Sequence, residues 1–304
     1  MILLRGITLR RNIVFVFVML AALCLGAVCK AQTSSLGDAK ASVLARIEKS
    51  GAEVGIAFRT LDGQDEWYSR ADESFHAAST MKVPVLIELF HQVKEGKFKL
   101  SDTVVIRNEF RSIVDGSPYK LDVADDSEAE LYKAEGKTRT VRELAELMIT
   151  VSSNLATNLL IEKLGVENIR ATVHALGADG MNVLRGVEDG KAFEKGMNNT
   201  TTARALATLM TAIADGKAVD CDSSKQMIAI LERQKFNEAI PAGLPAGVLV
   251  AHKTGDITKV HHDAAIVYAK RPFVLVILVR GIAEDKAAYA LMAGIASDLY
   301  KSTN

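Results

Sequence analysis

Strand-like and helix-like periodicities occupy different parts of this 304-residue chain, and their distribution constrains the fold more than any other feature. The segments with strand-like apolar patterns are Val54–Phe58, 66–69, 248–251, 264–269 and 273–279. Between about residues 78 and 231 the apolar spacing is helical instead. Strands that occur only near the two ends have to pair with each other, and the short turns between neighbours favour antiparallel pairing.

The sequence therefore predicts an α/β (α+β) fold: an antiparallel sheet flanked by helices, plus an all-helical domain. We expect residues 33–77 and 232–304 to form the α/β domain and residues 78–231 the helical domain. Within these parts, Thr140 and Glu143 form a capping box that opens a helix. The segment Asp115–Lys137 carries seven acidic and three basic residues and is expected to be an acidic surface loop.

The first 31 residues have the order of a secretory signal peptide. Arg5, Arg10 and Arg11 precede an apolar stretch from Ile13 to Val28, and small residues then lead to a polar segment near Gln32. We expect residues 1–31 to be removed, which predicts a secreted or periplasmic protein with no stable membrane anchor. A retained anchor is the alternative, although the apolar run is slightly short for a comfortable span.

Removal of residues 1–31 also changes the charge and the cysteine content. The whole chain has 37 basic and 37 acidic residues, and the loss of four basic residues gives a net charge of −4. Without a basic excess, nucleic-acid binding is not expected. Cys24 and Cys29 leave with the signal, so Cys221 has no internal disulfide partner. Lipidation of Cys29 is a weaker alternative, because Val28 is not the small residue that usually precedes a lipidated cysteine.

Ser79 and Lys82 are the first residues that suggest chemistry. They are three residues apart where a helix is predicted to begin, so they share one helix face. A serine hydroxyl needs a base, and lysine can act as one where burial and positive potential lower its pKa. The spacing alone is weak evidence, because Ser117 and Lys120 share it. Ser117, however, lies in the acidic loop, where nothing fixes the two side chains relative to each other.

Two further motifs follow in the order that one enzyme family uses. Ser152-Ser153-Asn154 lies between two predicted helices, and Lys253-Thr254-Gly255 ends the strand-like run 248–252. With Ser79 and Lys82, these motifs resemble those of the penicillin-recognising serine hydrolases, specifically the class A β-lactamases. The resemblance spans nearly all of the chain after residue 31 and implies the β-lactamase/transpeptidase-like fold. The family has aspartate in the middle of the second motif, so Ser153 departs from it.

A loop glutamate distinguishes class A from its relatives. The family carries it 36 residues after the first serine of the second motif, and that position is Glu188 here. A carboxylate at this place can polarise the water that hydrolyses an acyl-serine ester. A solvated loop glutamate with no such role is the alternative.

Three other positions depart from the family pattern. Ala192 stands where the family has an asparagine that helps to hold the water, and Asn199 replaces an aspartate that usually pairs with an arginine. Asp256 follows Lys253-Thr254-Gly255 at a place where small or neutral residues are usual. A carboxylate there would oppose an anionic substrate.

The resemblance implies a role for each matching residue. Ser79 would attack an amide carbonyl, and Lys82, with Glu188 through water, would take its proton. Ser152 would relay a proton to the leaving nitrogen. The remaining residues would bind substrate: Asn154 its amide, Lys253 and Thr254 its carboxylate, and the N–H of Asp256 the oxyanion together with that of Ser79.

No metal or organic cofactor is implied. His261, His262 and Asp263 could be considered as metal ligands, but adjacent histidines in one strand point in different directions. We expect the partner to be a small-molecule β-lactam or a related cell-wall peptide, and we expect a monomer.

Three functions remain compatible with the sequence. The first is a β-lactamase-like hydrolase that acts on a cyclic amide. The second is a cell-wall D-Ala-D-Ala peptidase or penicillin-binding protein; Glu188 argues against it, and Ala192 and Asp256 weaken that argument. The third is a non-catalytic ligand-binding relative, which the retained Ser79 and Lys82 disfavour.

Overall fold

The computed structural model describes residues 35–303, so the predicted signal peptide, residues 1–31, lies outside the described residues. The α-helices of the described part are α1 (Leu36–Ser50), α2 (Lys82–Lys94), α3 (Ala129–Tyr132), α4 (Val141–Thr150), α5 (Asn154–Leu164), α6 (Val166–Ala175), α7 (Gly190–Glu194), α8 (Ala203–Ala214), α9 (Cys221–Leu231) and α10 (Asp285–Lys301). Within this part, none of the helices has the length and apolar character needed to cross a membrane.

The strands are β1 (Glu53–Thr60), β2 (Glu66–Ser69), β3 (Phe75–His76), β4 (Thr103–Val105), β5 (Phe110–Arg111), β6 (Pro118–Tyr119), β7 (Thr138–Thr140), β8 (Thr200–Thr201), β9 (Leu249–Ile257), β10 (Val260–Tyr268) and β11 (Phe273–Arg280). Five of them form one antiparallel sheet in the order β2-β1-β11-β10-β9. The two ends of the chain meet where β1 pairs with β11, from Glu53 opposite Arg280 to Thr60 opposite Phe273. The predicted pairing of the outer segments and the predicted fold class are therefore confirmed.

The sheet is covered on both faces, which explains why β11 is apolar at nearly every position. Leu275, Ile277 and Val279 lie in the apolar cluster that includes residues of α1 and α10. Val276 and Leu278 point to the other face and join the larger cluster formed with the helices of the middle segment. Because successive side chains of a strand point to opposite faces, a strand buried on both sides has no polar alternation.

The middle segment is mainly helical, but the expectation that it is entirely helical is wrong. Two short antiparallel ribbons, β4 with β7 and β5 with β6, lie inside it, and β8 pairs outward with β3. These strands are two or three residues long, too short to give a recognisable alternation. The division into domains 33–77 with 232–304 and 78–231 stays a prediction, although the five-stranded sheet takes all its strands from the outer segments.

Helix α2 is the centre of the helical segment. Every residue from Lys82 to Phe90 is buried, including Glu88, so this part of α2 is enclosed on all sides rather than amphipathic. Helices α4, α5 and α6 pack against it. The burial of Lys82 within this core is the first structural fact that bears on the site.

Candidate functional site

Ser79 lies in a single 3₁₀ turn, Ala78–Met81, that runs directly into α2. Ala78 has φ = 44°, a left-handed backbone conformation that L-residues other than glycine rarely adopt and that recurs at functional sites. The turn is fixed from the preceding strand, because His76 Nδ1 accepts a 3.0 Å hydrogen bond from the Ala78 N–H. Ser79 itself is half-buried and lines the cleft between this turn and β9.

The strand carrying Lys253-Thr254-Gly255 passes very close to this turn. A Cβ atom added to Gly255 would lie 3.0 Å from Ser79 N and 2.9 Å from Thr80 N. Only glycine allows the two backbones to approach so closely. The motif lies inside β9, which continues to Ile257, and not at its end as expected from the sequence. The pairing of β9 with β10 through this segment extends the strand beyond its apolar run.

Lys82 is completely buried, and its ammonium group is directed to the second motif. Lys82 Nζ donates to Ser152 O at 2.7 Å, to Ser152 Oγ at 3.1 Å and to Asn154 Oδ1 at 2.9 Å. Burial, followed by the charge of Lys253, lowers the pKa of Lys82 well below its ordinary value. A hydrogen bond to Ser79 Oγ is not among the contacts of Lys82 within the described residues; such catalytic contacts are often long before substrate binds.

Ser152 lies between two buried lysines. Its Oγ is 3.1 Å from Lys82 Nζ and 3.0 Å from Lys253 Nζ, and its backbone has φ = 58°. Lys253 also donates to Thr254 O at 2.8 Å, and burial lowers its pKa to about 7. A hydroxyl between two amines of lowered pKa is suited to passing a proton between them.

Ser153, which departs from the family motif, begins α5. Its Oγ accepts a hydrogen bond from the Ala156 N–H, an N-cap contact. A carboxylate reaches the same helix end from the acidic segment: Asp126 Oδ2 accepts from the N–H groups of Asn154 and Leu155, each at 2.8 Å. Asp126 thereby fixes the backbone next to Ser152, which carries the hydroxyl between the two lysines.

Glu188 faces the same group of residues. Its Oε1 accepts from Asn154 Nδ2 at 2.8 Å, and its Oε2 accepts from the Asp122 N–H at 3.0 Å. Burial is the main cause that raises the pKa of Glu188, and the charges of Asp125 and Asp126 act in the same direction. Because Asn154 also accepts from Lys82, one amide side chain connects the buried lysine to the loop carboxylate.

The loop that carries Glu188 is held by uncharged contacts. Asn158 clamps Val187 through two hydrogen bonds, from the Val187 N–H at 2.7 Å and to Val187 O at 3.0 Å. Asn199 Oδ1 accepts from the N–H groups of Leu184 and Arg185. Arg185 donates to carbonyl oxygens and an amide, not to a carboxylate. Amide contacts therefore replace the ion pair expected in this family.

Ala192 is fully buried in α7, and its N–H donates to Asp189 Oδ1 at 3.1 Å. The same carboxylate accepts from Ser112 Oγ and from the Ile113 N–H. Ala192 therefore has a packing role and has no side-chain oxygen or nitrogen that could hold a water.

Asp256 lines the cleft beyond Gly255. Its Oδ1 accepts from Tyr289 OH at 3.1 Å and lies 3.0 Å from His261 Nδ1. Burial raises the pKa of the Asp256 carboxyl, against the effect of these two partners. The hydrogen bonds explain how a carboxylate is accommodated at a position where the family usually has a small or neutral residue.

Two cavities, of about 250 and 640 Å³, form the two sides of the cleft. Ser79, Asp125, Asn154 and Asp256 line both of them. Ser152 and Thr254 belong to the smaller side and Glu188 to the larger one. The structure thus brings together all eight residues singled out from the sequence, Lys82 and Lys253 through their contacts with Ser152.

The side chains of His261 and His262, which are adjacent in β10, point to opposite sides of the strand. His261 contacts Asp256, whereas His262 Nε2 lies 2.8 Å from His76 O on the other side of the strand. Burial lowers the pKa of His262 to about 4, so the ring is neutral at pH 7 and donates from Nε2 to His76. Among residues 35–303, no three side chains of His, Cys, Asp or Glu are arranged to hold a metal ion.

Sequence reasoning did not identify Asp126, Asp122 or His262 as part of this arrangement. The replacement of the family aspartate by Ser153 was a usable signal, because the helix end then lacks its own carboxylate. Nothing in the sequence indicates which of the seven acidic residues of 115–137 takes that place.

The comparisons with known proteins agree with this geometry. The model of the β-lactamase enzyme family matches residues 38–303. The chain belongs to this family. It is 28% identical to the β-lactamase Toho-1 of Escherichia coli over 276 residues, which is 88% of this chain and 89% of Toho-1.

Solved structures give the same result. A β-lactamase from Sphaerobacter thermophilus is 25% identical, with a TM-score of 0.77 over 89% of this chain and 98% of that one. PBP-A is 28% identical, with a TM-score of 0.76 over 88% of this chain and 97% of that one. A mutant of PBP-A was solved as an acyl-enzyme complex with penicillin G. The resemblance to class A β-lactamases predicted from the motifs is thereby confirmed, and so is the β-lactamase and penicillin-binding-protein fold.

Proposed function

We propose that this member of the family is a serine hydrolase that opens β-lactam rings through an acyl-enzyme on Ser79. The observation that carries the proposal is the position of Ser152 Oγ, within 3.1 Å of both Lys82 and Lys253 and in the wall of the cleft that Ser79 lines. A buried amine of lowered pKa is a competent base for a serine hydroxyl, which supports acylation of Ser79.

The acylation half of the reaction uses the buried lysines. Ser79 Oγ attacks the lactam carbonyl as its proton passes to Lys82, and the C–O bond to Ser79 forms. The N–H groups of Ser79 and Asp256 stabilise the oxyanion. Collapse breaks the C–N bond, and Ser152 delivers a proton to the leaving nitrogen and is reprotonated from the lysines. Asn154 orients the substrate amide, and Thr254 contacts the group beside the leaving nitrogen.

Deacylation requires an activated water. Glu188 accepts a proton from this water as the water oxygen attacks the ester carbonyl. The bond to Ser79 Oγ then breaks, and Ser79 Oγ takes up a proton again. The raised pKa of Glu188 favours proton acceptance, which supports this role. Because Ala192 offers no hydrogen bond to the water, we expect slow deacylation, with a burst of product followed by slower turnover.

A cell-wall D-Ala-D-Ala peptidase or penicillin-binding protein is the second candidate. Similarity to PBP-A over nearly the whole chain and the apolar side chain of Ala192 favour it. It would acylate Ser79 in the same way but would hydrolyse or transfer an acyclic peptide. A non-catalytic ligand-binding relative is the third candidate.

One kinetic trace distinguishes the three candidates. Purified protein mixed with a chromogenic cephalosporin gives turnover for a β-lactamase, a burst alone for a penicillin-binding protein, and no signal for a non-catalytic relative. Peptide mass mapping after incubation with penicillin should place the adduct on the Ser79 peptide.

Variants identify the nucleophile and the base. Ser79→Ala should abolish the adduct, and Lys82→Ala should slow acylation at least a few hundredfold. The matched control is Ser117→Ala, which alters the other serine with the same spacing to a lysine and should leave the adduct unchanged. Labelling of Ser79→Ala at the level of the unmodified protein would refute the assignment.

We further propose that the protein acts as a monomer without a cofactor, outside the cytoplasm, after removal of residues 1–31. The order of basic, apolar and small residues in that segment supports this location. Mass measurement of the protein from a periplasmic extract should give a mature N-terminus near Gln32.

A further inference from the structure

The cavity of about 250 Å³ beside Ser152 contains an unusual set of charges. It is lined by Ser79, Ser152 and Thr254 and by three charged residues, Asp125, Glu238 and Asp256, all of them acidic. Lys82 and Lys253, which contact Ser152 in its wall, are buried and bonded to protein acceptors. A ligand entering this side of the cleft therefore meets carboxylates at the surface.

Asp256 has the most defined geometry of the three. Tyr289 OH and His261 Nδ1 both contact its Oδ1, and within residues 35–303 no hydrogen bond to Oδ2 occurs. The side chain is 36% exposed. The hydrogen bonds hold the carboxylate at the cleft, and one of its oxygens is left to interact with a ligand.

Lys253 is completely buried, and its Nζ already donates to Ser152 Oγ and to Thr254 O. A ligand carboxylate near Thr254 would have to compete for this amine while it lies close to the Asp256 carboxylate. Two like charges within a few ångströms in a partly buried cleft repel each other strongly.

We propose that Asp256 makes the Ser152 side of the cleft selective for acyl compounds whose group beside the scissile amide is neutral or cationic, and disfavours those that carry a carboxylate there. The inference rests on the proposed acylation of Ser79. It predicts that amidated, esterified or amine-bearing amides acylate Ser79 faster than the corresponding free-acid β-lactams, which still react.

The test uses three forms of one β-lactam that differ in charge at this position: benzylpenicillin, its methyl ester and its diethylaminoethyl ester. The rate of Ser79 adduct formation is measured by mass spectrometry for the unmodified protein and for Asp256→Asn. Asparagine has the same size and can still accept from Tyr289. Both proteins are assayed at the same pH.

Each compound is compared between the two proteins, so that its intrinsic reactivity cancels. Asp256→Asn should raise the acylation rate about tenfold for the free acid, leave it within twofold for the methyl ester, and lower it at least threefold for the cationic ester. A tenfold change corresponds to about 1.4 kcal/mol. A purely structural effect of the substitution would change all three rates by the same factor.

Glu238→Gln is the matched control. It removes an exposed carboxylate from the same cavity that, within residues 35–303, has no hydrogen bond to Tyr289 or His261, and it should change each of the three rates by less than twofold. Equal factors for the three compounds in Asp256→Asn overturn the inference alone. Absence of an adduct on Ser79 with every compound overturns the proposed function, and the inference fails with it.

Discussion

Replacement of Gly255 by alanine tests whether the close approach of β9 to the Ser79 turn is needed for reaction. The new Cβ would lie 2.9 Å from Thr80 N and 3.0 Å from Ser79 N, both backbone atoms that cannot rotate away. Ordinary contacts of this kind start at 3.4 Å. The strand and the turn must therefore move apart by roughly 0.5 Å, a strain of the size that overpacked sites relieve by backbone shifts.

Two effects of different size follow from this displacement. Overpacking of a tight site costs about 1–3 kcal/mol, so the free energy of unfolding should fall by that amount. The proposed oxyanion donors, the N–H groups of Ser79 and Asp256, lie on the two backbones that separate. Loss of one such donor costs about 10²–10³ in rate. We expect acylation of Gly255→Ala to be at least a hundredfold slower.

The assay combines urea unfolding with the rate of adduct formation from a chromogenic cephalosporin. Gly294→Ala is the control, because its nearest obstacle is Arg46 Nη1 at 2.8 Å, the end of a flexible side chain. It lies in α10, where alanine is favoured over glycine by about 1 kcal/mol. Its acylation rate should be unchanged. Acylation of Gly255→Ala within threefold of the unmodified protein would refute the reasoning.

Three further predictions concern the carboxylates and lysines of the site. Glu188→Gln should still acylate Ser79 but accumulate a long-lived acyl-enzyme in single-turnover experiments, because the amide cannot accept a proton from water. Unchanged deacylation would leave Glu188 as a loop residue and favour the penicillin-binding-protein candidate. Burial lowers the pKa of Lys253 to about 7 from an ordinary 10.5, so between these pH values the unfolded state binds more protons than the folded state. The free energy of unfolding should therefore rise with pH across this window, by up to about 5 kcal/mol. Lys253→Met should lose that rise when urea unfolding is compared at pH 7 and pH 10, and an identical pH dependence would contradict the assignment. Asp126→Asn should lower the free energy of unfolding by about 1–2 kcal/mol through the α5 cap, whereas the exposed neighbour Asp125→Asn should change it by less than about 0.5 kcal/mol.

The fold was predictable because its main sheet is assembled from segments with clear periodicity. The segments with alternation (β1) and with apolar runs (β9 to β11) form antiparallel strands in the structure. The short ribbons of the middle segment were missed because two or three residues are too few to show alternation. Burial of α2 on all sides was not predicted, because Lys82 and Glu88 are charged residues that are rarely enclosed, and here both are buried.

The candidate residues were found where the motifs are local, and supporting residues were missed where contacts depend on distant segments. Ser79 with Lys82, and Ser152 with Asn154, are neighbours in sequence. In contrast, the contact between Asp126 and Asn154 joins residues 28 positions apart. The contact between His262 and His76 spans 186 positions. No spacing rule links such pairs, because their proximity is a result of tertiary packing.

The departures from the family pattern at Asn199 and Ala192 differ in the effect that we expect on deacylation. Asn199 keeps the base of the Glu188 loop closed with three hydrogen bonds to the backbone of residues 184 and 185. Asn158 clamps the residue before Glu188 as well, so Glu188 stays fixed without the usual ion pair. The methyl group of Ala192, by contrast, can neither donate nor accept a hydrogen bond. We therefore expect slow deacylation to result from poor positioning of the water and not from displacement of Glu188. Ala192→Asn should accelerate deacylation, whereas Asn199→Asp should not.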